Sequence, residues 1–313
     1  MFTELNEKLL IVKDDLRKKE KYEDHLERLK ADLQLEIQKR EMYKHMLEEK
    51  KEDVSRFESF TLANIFYSLI GKKLEKIDQE EQLIAAMKLK YKEAMETVAD
   101  MENEIKKFEM ELTSVANADV EYEAILKEKE RLIRDTDSFW NDKLYTLSEK
   151  EAELFAGLKE YNEAIEVGQK AKHQLDEALD ELESAHNWST FDMFGGGTIS
   201  TFVKHSRYNN AQDLIHDAQH TLRQFREELL DLKKHFDHDY DIGNMLTVAD
   251  YFFDGIVVDW MVHGKINDAM SQTEKMYDLV KTTLKEIKLQ RDGLEKELTD
   301  VHWERIELFE SCS

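Results

Sequence analysis

Residues 84–115 read IAAMKLKYKEAMETVADMENEIKKFEMELTSV. Ile84, Met87, Tyr91, Met95, Val98, Met101, Ile105, Phe108, Leu112 and Val115 recur at steps of three and four without a break. That spacing puts every one of them on a single helix stripe. The intervening positions are mostly Glu and Lys, as the solvent face of a long helix requires.

The same period runs outward in both directions. Towards the C-terminus it appears in Trp140, Leu144, Leu147, Leu154, Leu158, Tyr161 and Ile165, then in Leu175, Leu179 and Leu182. It returns in Ala211, Ile215, Ala218, Leu222, Phe225, Leu229, Leu232 and Phe236. It returns again in Ala269, Met276, Val280, Leu284, Ile287, Leu294, Leu298 and Val301. The N-terminal segment is less regular, with Leu5, Leu9, Val12, Leu16, Leu26, Leu29, Leu33 and Ile37.

Composition agrees with the periodicity. The 313 residues include no proline, and 36% are charged while 41% are hydrophobic. Proline breaks helix interiors, so its absence suits long helices. Breaks fall at 55–64, at Asn117 to Asp119, at 187–197 with three consecutive glycines, and at 241–247. Asp119 is placed to cap a helix N-terminus. The expected fold is all-α: long antiparallel helical hairpins or coiled coil, with a small apolar helical head. Helices are predicted near 2–57, 64–116 and 119–187, forming hairpins over 1–187. Over 188–313 the head segments carry helices near 198–240 and 247–308, the last broken around Gly255 to Gly264. One elongated unit is expected, and the apolar faces left over favour a homo-oligomer.

The net charge of −24 argues against nucleic acid and anionic lipid as partners. The run Arg17, Lys18, Lys19, Glu20, Lys21 reads as a solvated helix face. Cys312 is the single cysteine and has no internal partner, and the charged N-terminus does not resemble a secretory leader. The sequence therefore predicts a cytoplasmic protein.

Three stretches lose their charge: 59–71, 187–203 and 251–263. They supply the expected head. Its contact residues are Phe60, Phe66, Trp188, Phe191, Asp192, Gly195, Gly196, Gly197, His205, Asp254, Asp259, Trp260 and His263. Mutual burial of these stretches as a bundle end is the preferred reading; an exposed patch for a protein partner is the functional one. The pattern Trp188-x3-Asp192-x2-Gly195-Gly196-Gly197 resembles a motif of uncharacterised bacterial coiled-coil proteins. That resemblance spans about twenty residues and implies a bacterial source, but no activity.

No nucleophile elbow, paired-cysteine zinc spacing or dinucleotide fingerprint occurs, so no enzyme and no cofactor is expected. Asp213, His216 and His220 share a helix face, and His235 and His238 follow about five turns on. Solvated polar faces are the default reading of both groups, and a metal-dependent enzyme is the third functional reading. The first is a self-associating, non-enzymatic coiled-coil scaffold that presents its head to an unknown protein partner. The second is a helical protein that inserts its uncharged segments into a membrane.

Overall fold

The computed structural model describes residues 2–50, 79–134, 139–192, 199–236, 252, 256 and 265–311. Among them are six helices: α1 (Phe2–Glu49), α2 (Gln79–Ser114), α3 (Ala118–Arg134), α4 (Phe139–Asp192), α5 (Ile199–Phe236) and α6 (Ile266–Ser311). No described residue is in a strand. At ~1.5 Å per residue, α4 alone is about 80 Å long.

The ion pairs fix the directions. α1 meets α2 through Lys50–Glu80 and Lys30–Glu109, so the two are antiparallel. α4 meets α6 through Lys143–Glu304 and Lys150–Glu297, also antiparallel. α4 and α5 are antiparallel too, with Tyr161 against Phe236 at one level and Gly168 against Phe225 at another. α1 runs alongside α4 in the same direction, since Lys13 reaches Glu149 and Lys21 reaches Glu163. The result is the expected all-α bundle of helical hairpins.

Its core follows the three-four period. On α5, Ile215, Ala218, Leu222, Phe225, Leu229 and Leu232 are all buried. On α6, Ala269, Met276, Val280, Leu284 and Ile287 meet them. The seam of α4 is different in kind. It runs Gly157, Tyr161, Ala164, Gly168, Ala171, Leu175, Ala178, Leu182 and Ala185, at strict steps of four and three. The leucine-based reading of this helix selected Leu158, Ile165 and Leu179, which are only half-buried. Small residues are needed here because α4 carries both α5 and α6. A Cβ built on Gly168 would stand 2.6 Å from Phe225 Cε2 and 2.8 Å from Leu284 Cδ2. On Gly157 it would stand 2.8 Å from Phe236 Cζ and 2.9 Å from Leu294 Cδ2.

Three boundaries differ from expectation. The predicted helix 119–187 is two helices, α3 and α4, and they have different neighbours: α3 lies on α1, while α4 is paired with α5 and α6. Asp119 does not cap α3. The helix starts one residue earlier, and the Glu121 N–H donates to the Asn117 carbonyl at 3.1 Å. Asp119 sits instead in the first turn, where negative charge is favoured, and pairs with Lys19 of α1. The last helix is described from Ile266 and runs on to Ser311. Within the predicted head, Phe252 and Ile256 are helical and buried in the main core. The Gln219 amide donates to the Phe252 carbonyl at 2.6 Å, which ties that segment to α5.

Candidate functional site

The irregular period of α1 has a structural cause. Where the seam should carry apolar residues, it carries Lys21 and His25, and both are buried. The run from Arg17 to Lys21, expected as a solvated face, is exposed at Glu20 but buried at Lys21. Lys21 is 5% exposed, and Arg17 lies against the Phe236 ring with its Cζ 5.3 Å from the centroid. α1 is held to α4 and α5 by its cations.

Glu160 and Glu163 on α4 and Glu228 on α5 bring carboxylate oxygens within 4.8 Å of one another. Three converging carboxylates are a conceivable cation site, but the Lys21 ammonium already stands among them. It donates to Glu160 at 3.0 Å, Glu163 at 2.6 Å and Glu228 at 2.9 Å. Burial works to lower the Lys21 pKa, but the charges of Glu228, Glu160 and Glu163 outweigh it and raise it above the ordinary lysine value. Glu228 fares worse. Its burial pushes the carboxyl up, more than Lys21 and the His25 charge pull it down, and the neighbouring Glu163 charge adds to the rise.

A turn further along α1, His25 Nε2 meets Asp231 Oδ2, and the Arg28 guanidinium donates to Asp231 Oδ1 at 2.8 Å. Arg28 also pairs with Glu227, and Arg226 with Asp32. Burial alone would raise the Asp231 carboxyl. The hydrogen bond and charge of His25, with Arg28 beside it, hold it below the usual aspartate range. A carboxyl lowered on folding adds stability above its unfolded pKa, and that stability is lost as pH falls through the folded value. Asp231→Asn is therefore expected to flatten the acid limb of a urea-midpoint profile recorded from about pH 7 to about pH 3. An unchanged acid limb would show that Asp231 is not a main source of the pH dependence.

The predicted histidine clusters separate in the structure. His235 is satisfied by its own helix, its ring N–H donating to the Asp231 carbonyl at 2.9 Å. His238 lies outside the described residues. Asp213 is exposed on α5 one turn before His216; partial burial and the Asp217 charge raise its carboxyl, while the His216 charge acts to lower it. His216 and His220 face α2 and flank Asp100, whose Oδ2 is 3.3 Å from His216 Nε2 and 3.8 Å from His220 Nδ1. Asp100 had no signal in a single sequence, because nothing there says which turn of α2 meets which turn of α5.

Most of the predicted head lies outside the described residues: Phe60, Phe66, Gly195, Gly196, Gly197, Asp254, Asp259, Trp260 and His263. The backbones of Trp188, Phe191 and Asp192 belong to the end of α4, and that of His205 to the start of α5. Their side chains lie outside the described residues too. No described helix is long and apolar enough to cross a membrane.

A groove of about 470 Å³ opens between α1, α4 and α6, lined by Leu10, Ile11, Phe155 and Leu298 and edged by Asp14, Lys18 and His302. Ile11 is 62% exposed and Phe155 57%. Trp303, next in the chain to His302, is 57% exposed as well.

These features define an all-α bundle of helical hairpins tied together by buried ion pairs. No family model, curated protein or solved structure matches the chain.

Proposed function

We propose that this chain is a cytoplasmic, non-enzymatic helical scaffold that associates with a second copy of itself. The observation that supports this is the groove between α1, α4 and α6. Ile11 and Phe155 point large apolar side chains away from the core. Contiguous exposed apolar surface of this kind marks association surfaces in soluble proteins. The rim fits a polar border, with Asp14, Asp15, Lys18 and Glu151 around the apolar floor. Long helices in coiled-coil register suit a spacer that holds two such grooves apart. The net charge of −24 works against nucleic acid as a partner.

Light scattering coupled to size exclusion tests this on the full chain. The wild type is expected to run as a dimer or a higher closed oligomer, and Phe155→Glu as a monomer with unchanged helicity. A wild-type monomer at high concentration overturns self-association. An oligomer unaffected by Phe155→Glu moves the interface elsewhere. Co-flotation of the wild type with vesicles would favour the membrane-inserting alternative.

A further inference from the structure

We propose that His216 and His220 of α5, with Asp100 of α2, bind a divalent transition-metal ion of the zinc class. The site does not depend on the scaffold reading, since it lies between α2 and α5, away from the groove between α1, α4 and α6.

The first support is the residue set. Two histidines one helical turn apart direct both imidazoles to one side of the helix, the arrangement that chelates zinc on helical scaffolds. Asp100 supplies an oxygen from the facing helix. Two imidazoles and one carboxylate form a donor set suited to zinc-like ions.

The second support is the spacing. At metal–ligand bonds of about 2.0–2.1 Å, donor atoms around a tetrahedral ion stand about 3.3–3.4 Å apart. Asp100 Oδ2 lies at 3.3 Å and 3.8 Å from the two ring nitrogens. Two of the three donor–donor edges are therefore near ligand spacing. The third edge, between the two ring nitrogens, is wider than 4.8 Å, so binding requires the partly exposed rings to turn towards a common centre.

Exposed pairs one turn apart within a helix, His45–Glu49 and His173–Glu177, stand at 3.7 Å, whereas a histidine facing an acid across helices closes to a hydrogen bond. His302 Nδ1 lies 2.6 Å from Glu151, and His25 is in hydrogen-bond contact with Asp231. Asp100 instead stands off from two rings at once. The contrast with the three carboxylates around Lys21 is also clear, since there a cation already occupies the centre.

The surroundings favour a cation. Glu96 and Glu104 sit one turn either side of Asp100 on α2. Glu104 accepts from the Gln224 amide at 3.0 Å, and Gln224 Nε2 lies 3.3 Å from His220 Nε2. Arg223 opposes a bound cation, and the carboxylates of Asp100, Glu36, Glu93 and Glu104 offset it.

The test uses the full chain, purified without a histidine tag and stripped with chelator. It is titrated with zinc chloride by calorimetry and with cobalt chloride by visible absorption. A single saturable site is expected. His216→Ala and His220→Ala should each weaken it by more than the roughly 10–100-fold that loss of an outer partner costs. His45→Ala and His302→Ala should leave it unchanged. Circular dichroism checks each variant. Should either histidine variant lose helicity, the near-isosteric Asp100→Asn carries the test with the same expected weakening. The proposal is overturned if the wild type shows no saturable site, or if binding survives in the folded variants.

Discussion

Lys21→Ala is expected to lower the stability of the bundle by about 3–5 kcal/mol. The change removes the cation that holds α1 to Glu160, Glu163 and Glu228 and leaves their charges facing one another. Breaking a buried ion pair from one side costs far more than replacing the whole set, since the surviving charges remain buried and uncompensated. The upper part of the range is limited by Glu163, which is half in solvent. Urea denaturation followed by circular dichroism measures the loss. Lys21→Leu combined with Glu160→Leu and Glu228→Leu should recover part of it, because the buried carboxylates leave with the lysine, while Arg17 loses its partner Glu160. A cost below about 1 kcal/mol for Lys21→Ala, the size of a surface pair, would refute the central role given to this lysine.

The pH dependence of this variant has a definite sign. Glu228 is already raised by burial in the wild type, so the folded state holds its proton more tightly than the unfolded chain does. A raised carboxyl costs stability above its folded pKa and gives it back as pH falls through that value. Loss of Lys21 widens that window, so Lys21→Ala should be least destabilising at mildly acid pH. The lysine contributes in the opposite sense. With its own pKa raised, its stabilisation is full below the ordinary lysine value of about 10.4 and lost only above the folded pKa.

The helices were legible because burial on one face of a long helix imposes its period on the sequence. The seam of α5 was read residue by residue, from Ile215 to Leu232. The seam of α4 was read at Tyr161, Leu175 and Leu182 but not between them, because hydrophobicity counts leucine and isoleucine, whereas close approach of two neighbours selects glycine and alanine. Ala164, Gly168, Ala171 and Ala178 are as periodic as any leucine zipper, but their signal is size. Lys21 was misassigned for a related reason. A lysine in a charged run looks solvated unless its partners are known, and those lie 139 and 207 residues away in the chain. The same separation in sequence hid Asp100 from His216 and His220. Period is local and was readable; register between helices is not local, and every interhelical site depends on it.

Phe225→Ala is expected to cost about 3–5 kcal/mol, the range for truncating a buried aromatic. Phe225 is fully buried on α5, and its ring edge fills the space that Gly168 leaves on α4. The two positions should therefore be coupled. Gly168→Ala alone gains up to about 1 kcal/mol of helix propensity. It also drives a methyl to 2.6 Å from the Phe225 ring, and overpacking of that kind costs about 1–3 kcal/mol. The methyl cannot shift away from the ring, because Leu284 of α6 meets it at 2.8 Å. Gly168→Ala should thus destabilise the wild type, yet lessen the damage of Phe225→Ala by filling part of the cavity. The double-mutant cycle should show a coupling of about 1–3 kcal/mol, since contacting residues share one space. Additive effects would mean that α4 and α5 do not approach each other at Gly168. Coupling of the expected sign would fix the α4–α5 register at that turn, which sequence periodicity alone leaves free to slip by whole repeats.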